Sequence, residues 1–251
     1  AASDVYKRQD LSPAFLKDFN DMLEKNGTGA RLRQGYGLTE VGSVCCANTN
    51  WTNKDNSIGL PLAGVRMQIW DDDHKEVPDG TIGEIVISGP TIMEGYLTED
   101  GPKDAGLYYD EEGTPWVLSG DIAYMDEDGF LFFEGRKKRV IIISGYNIYP
   151  ASIEEKVDTL DYINEVCAVQ GYSENGKPLV KLVVSLKDKN ADRNKAIADL
   201  KAFCEENLES ISVPRKYEIM DLLPRTKMDK IDFMKLTDAD PEKARAAGKV
   251  E

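Results

Sequence analysis

The sequence predicts a mixed chain, in which an α/β segment passes into a β-rich stretch and a separate small α+β unit follows. Three observations predict it. Near the start, Phe15, Phe19, Met22 and Leu23 recur at helical spacing. From about residue 58 to 134 the period becomes two, as where Val65, Met67 and Ile69 alternate with polar neighbours. Beyond Arg139, extended and helical stretches alternate again. With 251 residues, 41% of them hydrophobic, the chain can bury one large core or two small ones.

Taken in order, residues 1–9 are expected to be a non-native leader, because Asp4-Val5-Tyr6-Lys7-Arg8-Gln9 reads as the translation of a transposon end used in sequencing libraries. Ser12-Pro13 is an N-cap with proline at the first helical position, and Gly27 can end that helix. A short strand about Arg31 and Leu32 should feed Gly35-Tyr36-Gly37. Residues 82–88 read as a strand, and residues 122–125 and 130–133, joined by a turn at 126–129, as a hairpin. Short strands divided by Gly and Pro suggest a small β-barrel or sandwich. Then come a strand at 140–144, a helix at 152–160 opened by the capping box Ser152-Ile153-Glu154-Glu155, strands at 166–169 and 181–186, and a helix at 191–207. The tail from Asp238 is charged and Ala-rich and reads as a frayed helix. Gly171-Tyr172-Ser173-Glu174-Asn175-Gly176-Lys177 imitates a phosphate loop, but Pro178 stands where Ser or Thr should bind Mg²⁺, so it reads as a turn. The charged run Gly135-Arg136-Lys137-Lys138-Arg139 marks a domain boundary, giving residues 10–137 and 138–251.

Composition excludes several functions. A net charge of −14 argues against nucleic acid, whose phosphates need clustered Lys and Arg, and against a polybasic membrane anchor. The longest aliphatic run, Val140-Ile141-Ile142-Ile143, is far too short for an integral membrane segment. Cys45, Cys46, Cys167 and Cys204 show no metal-ligand spacing, and a reduced cytoplasm is their natural setting. The single histidine, His74, lies in a polar run that reads as a turn, which removes multi-His metal sites.

Four segments carry chemistry. In Gln34-Gly35-Tyr36-Gly37-Leu38-Thr39-Glu40, the glycines permit close approach, Tyr36 offers a flat face for a base, Thr39 a hydroxyl for phosphate, and Glu40 a hard oxygen for Mg²⁺. In Ser119-Gly120-Asp121, one carboxylate can accept from both hydroxyls of a ribose. Arg136 and Lys138 lie in the basic run, with Ser144-Gly145-Tyr146-Asn147 just beyond. Last comes Pro224-Arg225-Thr226-Lys227-Met228-Asp229-Lys230. A charge run or a late lysine alone is most often a solvated face. Together and in this order, the four resemble the later signature motifs of the adenylate-forming superfamily of acyl-CoA synthetases, luciferases and peptide-synthetase adenylation domains. The resemblance runs from about Leu11 to Leu236.

The resemblance implies the end of a large N-terminal domain (an α/β subdomain and a small β-barrel) followed by a small, mobile α+β C-terminal domain. It implies that Gln34 and Gly35 line the adenine site, that Gly37 also belongs to the nucleotide site, that Tyr36 stacks on the base, and that Thr39 contacts the α-phosphate while Glu40 helps hold Mg²⁺. Asp121 and Arg136 would bind the ribose, Lys138 would be the hinge, and Ser144, Gly145, Tyr146 and Asn147 would border the path of coenzyme A. Lys230 would bridge carboxylate and phosphate during adenylation. The implied partners are ATP, CoA and a carboxylic acid, a fatty acid or similar. A domain loading a carrier protein, or a non-catalytic nucleotide-binding relative, are the alternatives. Asp229 departs from the family's usual glycine, Ser152 from a usual glutamate, and Ile142 and Ser144 from lysines of some relatives. The family's Ser/Thr/Gly-rich phosphate loop does not occur in this chain, so the chain alone is expected not to complete adenylation.

Overall fold

The computed structural model describes residues 13–240 apart from 100, 105 and 228. The expected leader, Ser12 and all of the tail beyond residue 240 lie outside the described residues. The chain divides into two compact units, residues 11–138 and residue 139 onward, each with its own core.

The first unit begins with α1 (Pro13–Lys25), where Phe15 and Phe19 stack with ring centres 5.7 Å apart. The helix ends as expected at Gly27, whose φ of +64° lets the Thr28 amide turn back to the Leu23 carbonyl. The strand expected at residues 31–32 does not form. Asn20 of α1 takes both backbone groups of Leu32, its Oδ1 accepting from the amide at 2.7 Å and its Nδ2 donating to the carbonyl at 3.2 Å. Extended pairing starts three residues later, with β1 (Gly35–Leu38), β2 (Ser43–Ala47) and β3 (Leu60–Pro61) in an antiparallel sheet.

Next follow β4 (Arg66–Trp70), β5 (Gly83–Ser88), the β6–β7 hairpin (Gly95–Thr98, Gly101–Asp104), β8 (Tyr108–Tyr109), β9 (Pro115–Met125) and β10 (Leu131–Arg136). The expected 122–133 hairpin is β9–β10, and the alternation in β4 buries Met67 and Ile69. β5 is buried on both faces: Ile85 and Ile87 join the main core, while Val86 turns to Trp70 and Trp116. The strand order is β10-β9-β5-β4, with β8 also on β9. This sheet is open, which corrects the expected barrel. Five strands are few for closure, and loops satisfy both edges instead. Val77 donates to Ile69 of β4, and Ile58 donates to Leu131 of β10.

The second unit contains the hairpin β11 (Ile141–Ile143) and β12 (Tyr146–Ile148), then α2 (Pro150–Asp158), β13 (Ile163–Tyr172), β14 (Pro178–Leu186), α3 (Arg193–Asn207), β15 (Lys216–Ile219) and α4 (Phe233–Leu236). β13 and β14 are antiparallel, joined by the turn expected at 171–177, and β15 adds in parallel after the α3 crossover. One sheet face packs under α2 and α3 through Ile153, Val157, Leu200 and Cys204. Leu223, Phe233 and Leu236 cover the other, against Cys167, Val169 and Val183.

The capping box at Ser152 is a second correction. α2 begins at Pro150, whose ring presets the helical φ, with Tyr149 as N-cap. Ser152 lies inside the helix and donates to the Tyr149 carbonyl at 2.9 Å. Asp192 caps α3 instead, accepting from the amides of Asn194 and Lys195. Residues 238–240 are not helical, which corrects that part of the expected tail. The Asp238 carboxylate is drawn onto the sheet by Lys181 at 3.1 Å and Lys216 at 2.6 Å. The four cysteines are free and buried. Among the described residues no helix is long and apolar enough to cross a membrane.

Candidate nucleotide site

Three irregularities in strand pairing shape the site, and each falls on a residue singled out above. Between Tyr36 and Gly37 the β1–β2 register skips Cys45. A Cβ at Gly37 would lie 1.8 Å from the Ser43 carbonyl oxygen, so only glycine lets the strands approach there. Between β5 and β9 the register runs from Glu84↔Ile122 to Val86↔Leu118, so that Ser119, Gly120 and Asp121 bulge opposite Ile85. Between β10 and β9 it skips Glu134, which brings Arg136 opposite Asp121. Bulges re-aim side chains and collect next to functional sites.

The result is a cross-braced cluster. Asp121 is fully buried; its Oδ2 accepts from the Tyr36 hydroxyl at 2.7 Å, and its Oδ1 lies 2.8 Å from Nη1 of Arg136. Burial pushes the Tyr36 phenol far above its ordinary pKa, and the Asp121 charge beside it adds to the effect. Tyr36 therefore stays protonated and donates. The Asp121 amide donates to Ser119 Oγ at 3.0 Å, and that hydroxyl donates to the Ile85 carbonyl at 2.6 Å. Arg136 has half its side chain exposed.

Gly35 opens β1 just before this cluster and Gln34 precedes it, with the Gln34 carbonyl accepting from the Asn48 amide at 2.9 Å. Thr39 and Glu40 follow it in a 3-10 turn (Thr39–Val41) closed by Gly42, and the Glu40 carboxylate accepts from the Tyr96 hydroxyl at 2.6 Å. Among the described residues no three His, Cys, Asp or Glu side chains converge on a metal position. One partly exposed carboxylate fits Mg²⁺, which characteristically takes one or two protein carboxylates and completes its shell with substrate phosphates and water.

Lys138 is exposed in the middle of a 3-10 turn (Lys137–Arg139). Within the second unit, Ser144 and Gly145 form the two-residue turn of β11–β12, with φ of +52° and +84°, the primed-turn geometry that suits the twist of a hairpin. Ile142, Tyr146 and Asn147 are exposed around it. Lys230 is exposed on a separate turn: its carbonyl accepts from the Thr226 amide at 2.8 Å, and its own amide donates to Thr226 Oγ1 at 3.2 Å. Asp229 sits there at φ +60°, so the usual glycine at this position has a backbone reason, and Asp is among the few residues that tolerate it.

The sequence reading missed Glu84, Lys137 and Tyr96. A glutamate within the apolar strand Gly83–Ser88 was a legible signal, since a carboxylate buried there requires a partner.

Comparison with known proteins decides the family. The AMP-binding enzyme family matches residues 9–97, and the AMP-binding enzyme C-terminal domain matches residues 152–230. This chain belongs to the AMP-binding enzymes. The long-chain-fatty-acid–CoA ligase of Salmonella typhimurium is 37% identical over 227 residues, which is 89% of this chain and 37% of that protein. The Bacillus subtilis enzyme of the same name is 36% identical over 219 residues, covering 86% and 37%. Among structures, o-succinylbenzoate CoA synthetase from Bacillus subtilis, in complex with its acyl-adenylate intermediate, superposes with a TM-score of 0.74 at 25% identity, covering 91% of this chain and 44% of that one. A benzoate CoA ligase from Burkholderia xenovorans gives 0.75 at 24% identity and shares the fold. This AMP-binding chain thus spans well under half the length of the relatives it matches.

Proposed function

We propose that this chain is the C-terminal part of an AMP-forming acid–CoA ligase, acting on a fatty acid or similar carboxylate. The observation that carries the reading is the buried Asp121 carboxylate held between Tyr36 and Arg136. Its Oδ2 accepts from the Tyr36 hydroxyl and its Oδ1 lies beside the Arg136 guanidinium, so the carboxylate is held in place before any ligand arrives. The same carboxylate would accept from the two hydroxyls of a ribose once the half-exposed Arg136 side chain turns aside. Tyr36 presents its ring toward the base while its hydroxyl stays anchored.

Chemistry explains the other positions. A carboxylate is a poor electrophile until its oxygen attacks the α-phosphorus of ATP, expelling pyrophosphate. The mixed anhydride then loses AMP when a thiol attacks its carbonyl. The first step brings two anions together, so Thr39 would orient the α-phosphate and Lys230 would offset the charge that develops. Mg²⁺, held by Glu40 and the phosphates, would supply further Lewis-acid stabilisation. Lys138, at the junction of the units, is the proposed hinge. The exposed turn at 144–147 is the proposed border for the pantetheine arm. The 25–37% identities to CoA ligases favour CoA over a carrier protein as acceptor.

The test uses the chain joined to the remaining length its relatives possess. Carboxylate-dependent exchange of pyrophosphate into ATP is expected, with Lys230→Ala slowing it by a factor on the order of 10² to 10³. Undiminished exchange in that variant would remove Lys230 from the chemistry. CoA consumption, followed separately, distinguishes thioester formation from adenylation alone.

A further inference from the structure

Glu84 has two partners, one for each oxygen, and they belong to different walls of the candidate site. The residue is 8% exposed and is the second of a strand whose next four members are all buried. A carboxylate in such a place must be satisfied from within the protein. Its Oε1 accepts from the backbone amide of Gly120 at 2.9 Å. Its Oε2 accepts from Lys137 Nζ, also at 2.9 Å. Asp72 lies 2.8 Å from the same ammonium group but is almost fully exposed, where an ion pair is worth little.

Those partners stand one residue away from the residues that matter. Gly120, at φ +70°, is the middle of the β9 bulge and immediately precedes Asp121. Lys137 immediately follows Arg136 and precedes Lys138. The bulge takes the Gly120 amide out of the β5–β9 ladder, so a side chain has to replace the missing strand partner. Ser119 steadies the bulge too, but through Ile85 and the Asp121 amide, within β5 and β9. Of the two, it is Glu84 that also reaches the segment that follows β10.

We propose that Glu84 is a positioning residue for the nucleotide site: it fixes Asp121 through the Gly120 amide and Arg136 through Lys137, setting the distance between the two residues from behind. The proposal rests on the nucleotide-binding reading above. It predicts that the two functions of the carboxylate separate. The Gly120 bond needs only an acceptor, which glutamine retains, whereas the Lys137 bond needs the charge.

The test is AMP affinity, measured by calorimetry on the chain as it stands, for wild type, Glu84→Ala, Glu84→Gln and Lys137→Met, with the unfolding temperature of each. Glu84→Ala should weaken AMP at least about tenfold, the scale of one lost charged hydrogen bond. Glu84→Gln should recover most of this, ending with Lys137→Met at about threefold below wild type. A merely structural role would lower the unfolding temperatures of the alanine and glutamine variants without separating their affinities, and would overturn the proposal. So would an alanine variant that folds and binds AMP as wild type does. Should the alanine variant not fold, hydrogen exchange at the Gly120 amide decides. Slow exchange in wild type and Glu84→Gln supports the proposal; fast exchange in wild type overturns it. Failure of wild type itself to bind AMP would instead refute the nucleotide-binding reading, so the two failures are distinguishable.

Discussion

The Asp121 corner and the Lys230 turn carry the two charges on which the proposed chemistry depends, and they are built in opposite ways. Asp121 is shut away from solvent and held by a phenol, a guanidinium and its own bulge. Lys230 stands exposed, and the contacts that define its turn are made by its backbone to Thr226. The contrast fits different duties. A group that grips the nucleotide gains from being placed before the ligand arrives, because no ordering cost falls due on binding. A group that must meet charge only in the transition state can be presented on a shaped turn with its ammonium free to move.

Breaking the first region should have the larger effects. Asp121→Ala leaves Tyr36 without its acceptor and Arg136 without its counter-ion, so chemical denaturation should show a loss of about 1–3 kcal/mol. Gly37→Ala attacks the same corner through the backbone. With a Cβ directed at the Ser43 carbonyl, β1 and β2 must separate, and a loss of similar size, about 1–3 kcal/mol, is expected along with weakened AMP binding.

In the second region the anchoring lies downstream of the lysine turn, where Asp238 is held by Lys181 and Lys216. Burial alone would push the Asp238 carboxyl up, but hydrogen bonds from Lys216 and Lys181 outweigh it and hold the group below its ordinary value. A depressed folded pKa means stability that is fully present above the unfolded value, about 3.9 for Asp, and lost as pH falls through the lower folded one. Asp238→Asn should therefore be less stable than wild type by about 1 kcal/mol at pH 7, with the gap closing in acid. Urea titrations at pH 7 and pH 3 would measure it.

The smallest effect is expected at Asp229. Replacing it with glycine removes the strain of positive φ but adds freedom to the unfolded chain, so stability should move by no more than about 1 kcal/mol in either direction. Asp229→Val, a β-branched residue at the same φ, should destabilise measurably more. Equal behaviour of the two variants would mean that the turn can relax at little cost.

The same contrast explains what could be read from sequence. Helix α1 with its Gly27 stop, the β9–β10 hairpin and the turn before Pro178 follow from local spacing and turn chemistry, and they form nearly where expected. Motif residues Tyr36, Asp121 and Arg136, far apart in the chain, do come together. What brings them together was not legible. The β5–β9 skip depends on a partner strand remote in sequence, and within the β1–β2 and β9–β10 hairpins nothing in the local spacing announces that Cys45 or Glu134 will be left over. The absent strand at residues 31–32 has the same origin, a side chain of α1 claiming both groups of Leu32. At Ser152 a local signal did exist, but Pro150 starts the helix before it.

AMP binding to this chain, compared between Asp121→Asn and Lys230→Ala, tests the account most directly. The cross-braced corner predicts that the asparagine variant loses at least about tenfold in affinity, whereas the lysine variant stays within about twofold of wild type. Full affinity in Asp121→Asn, with the loss falling on Lys230→Ala, would contradict it.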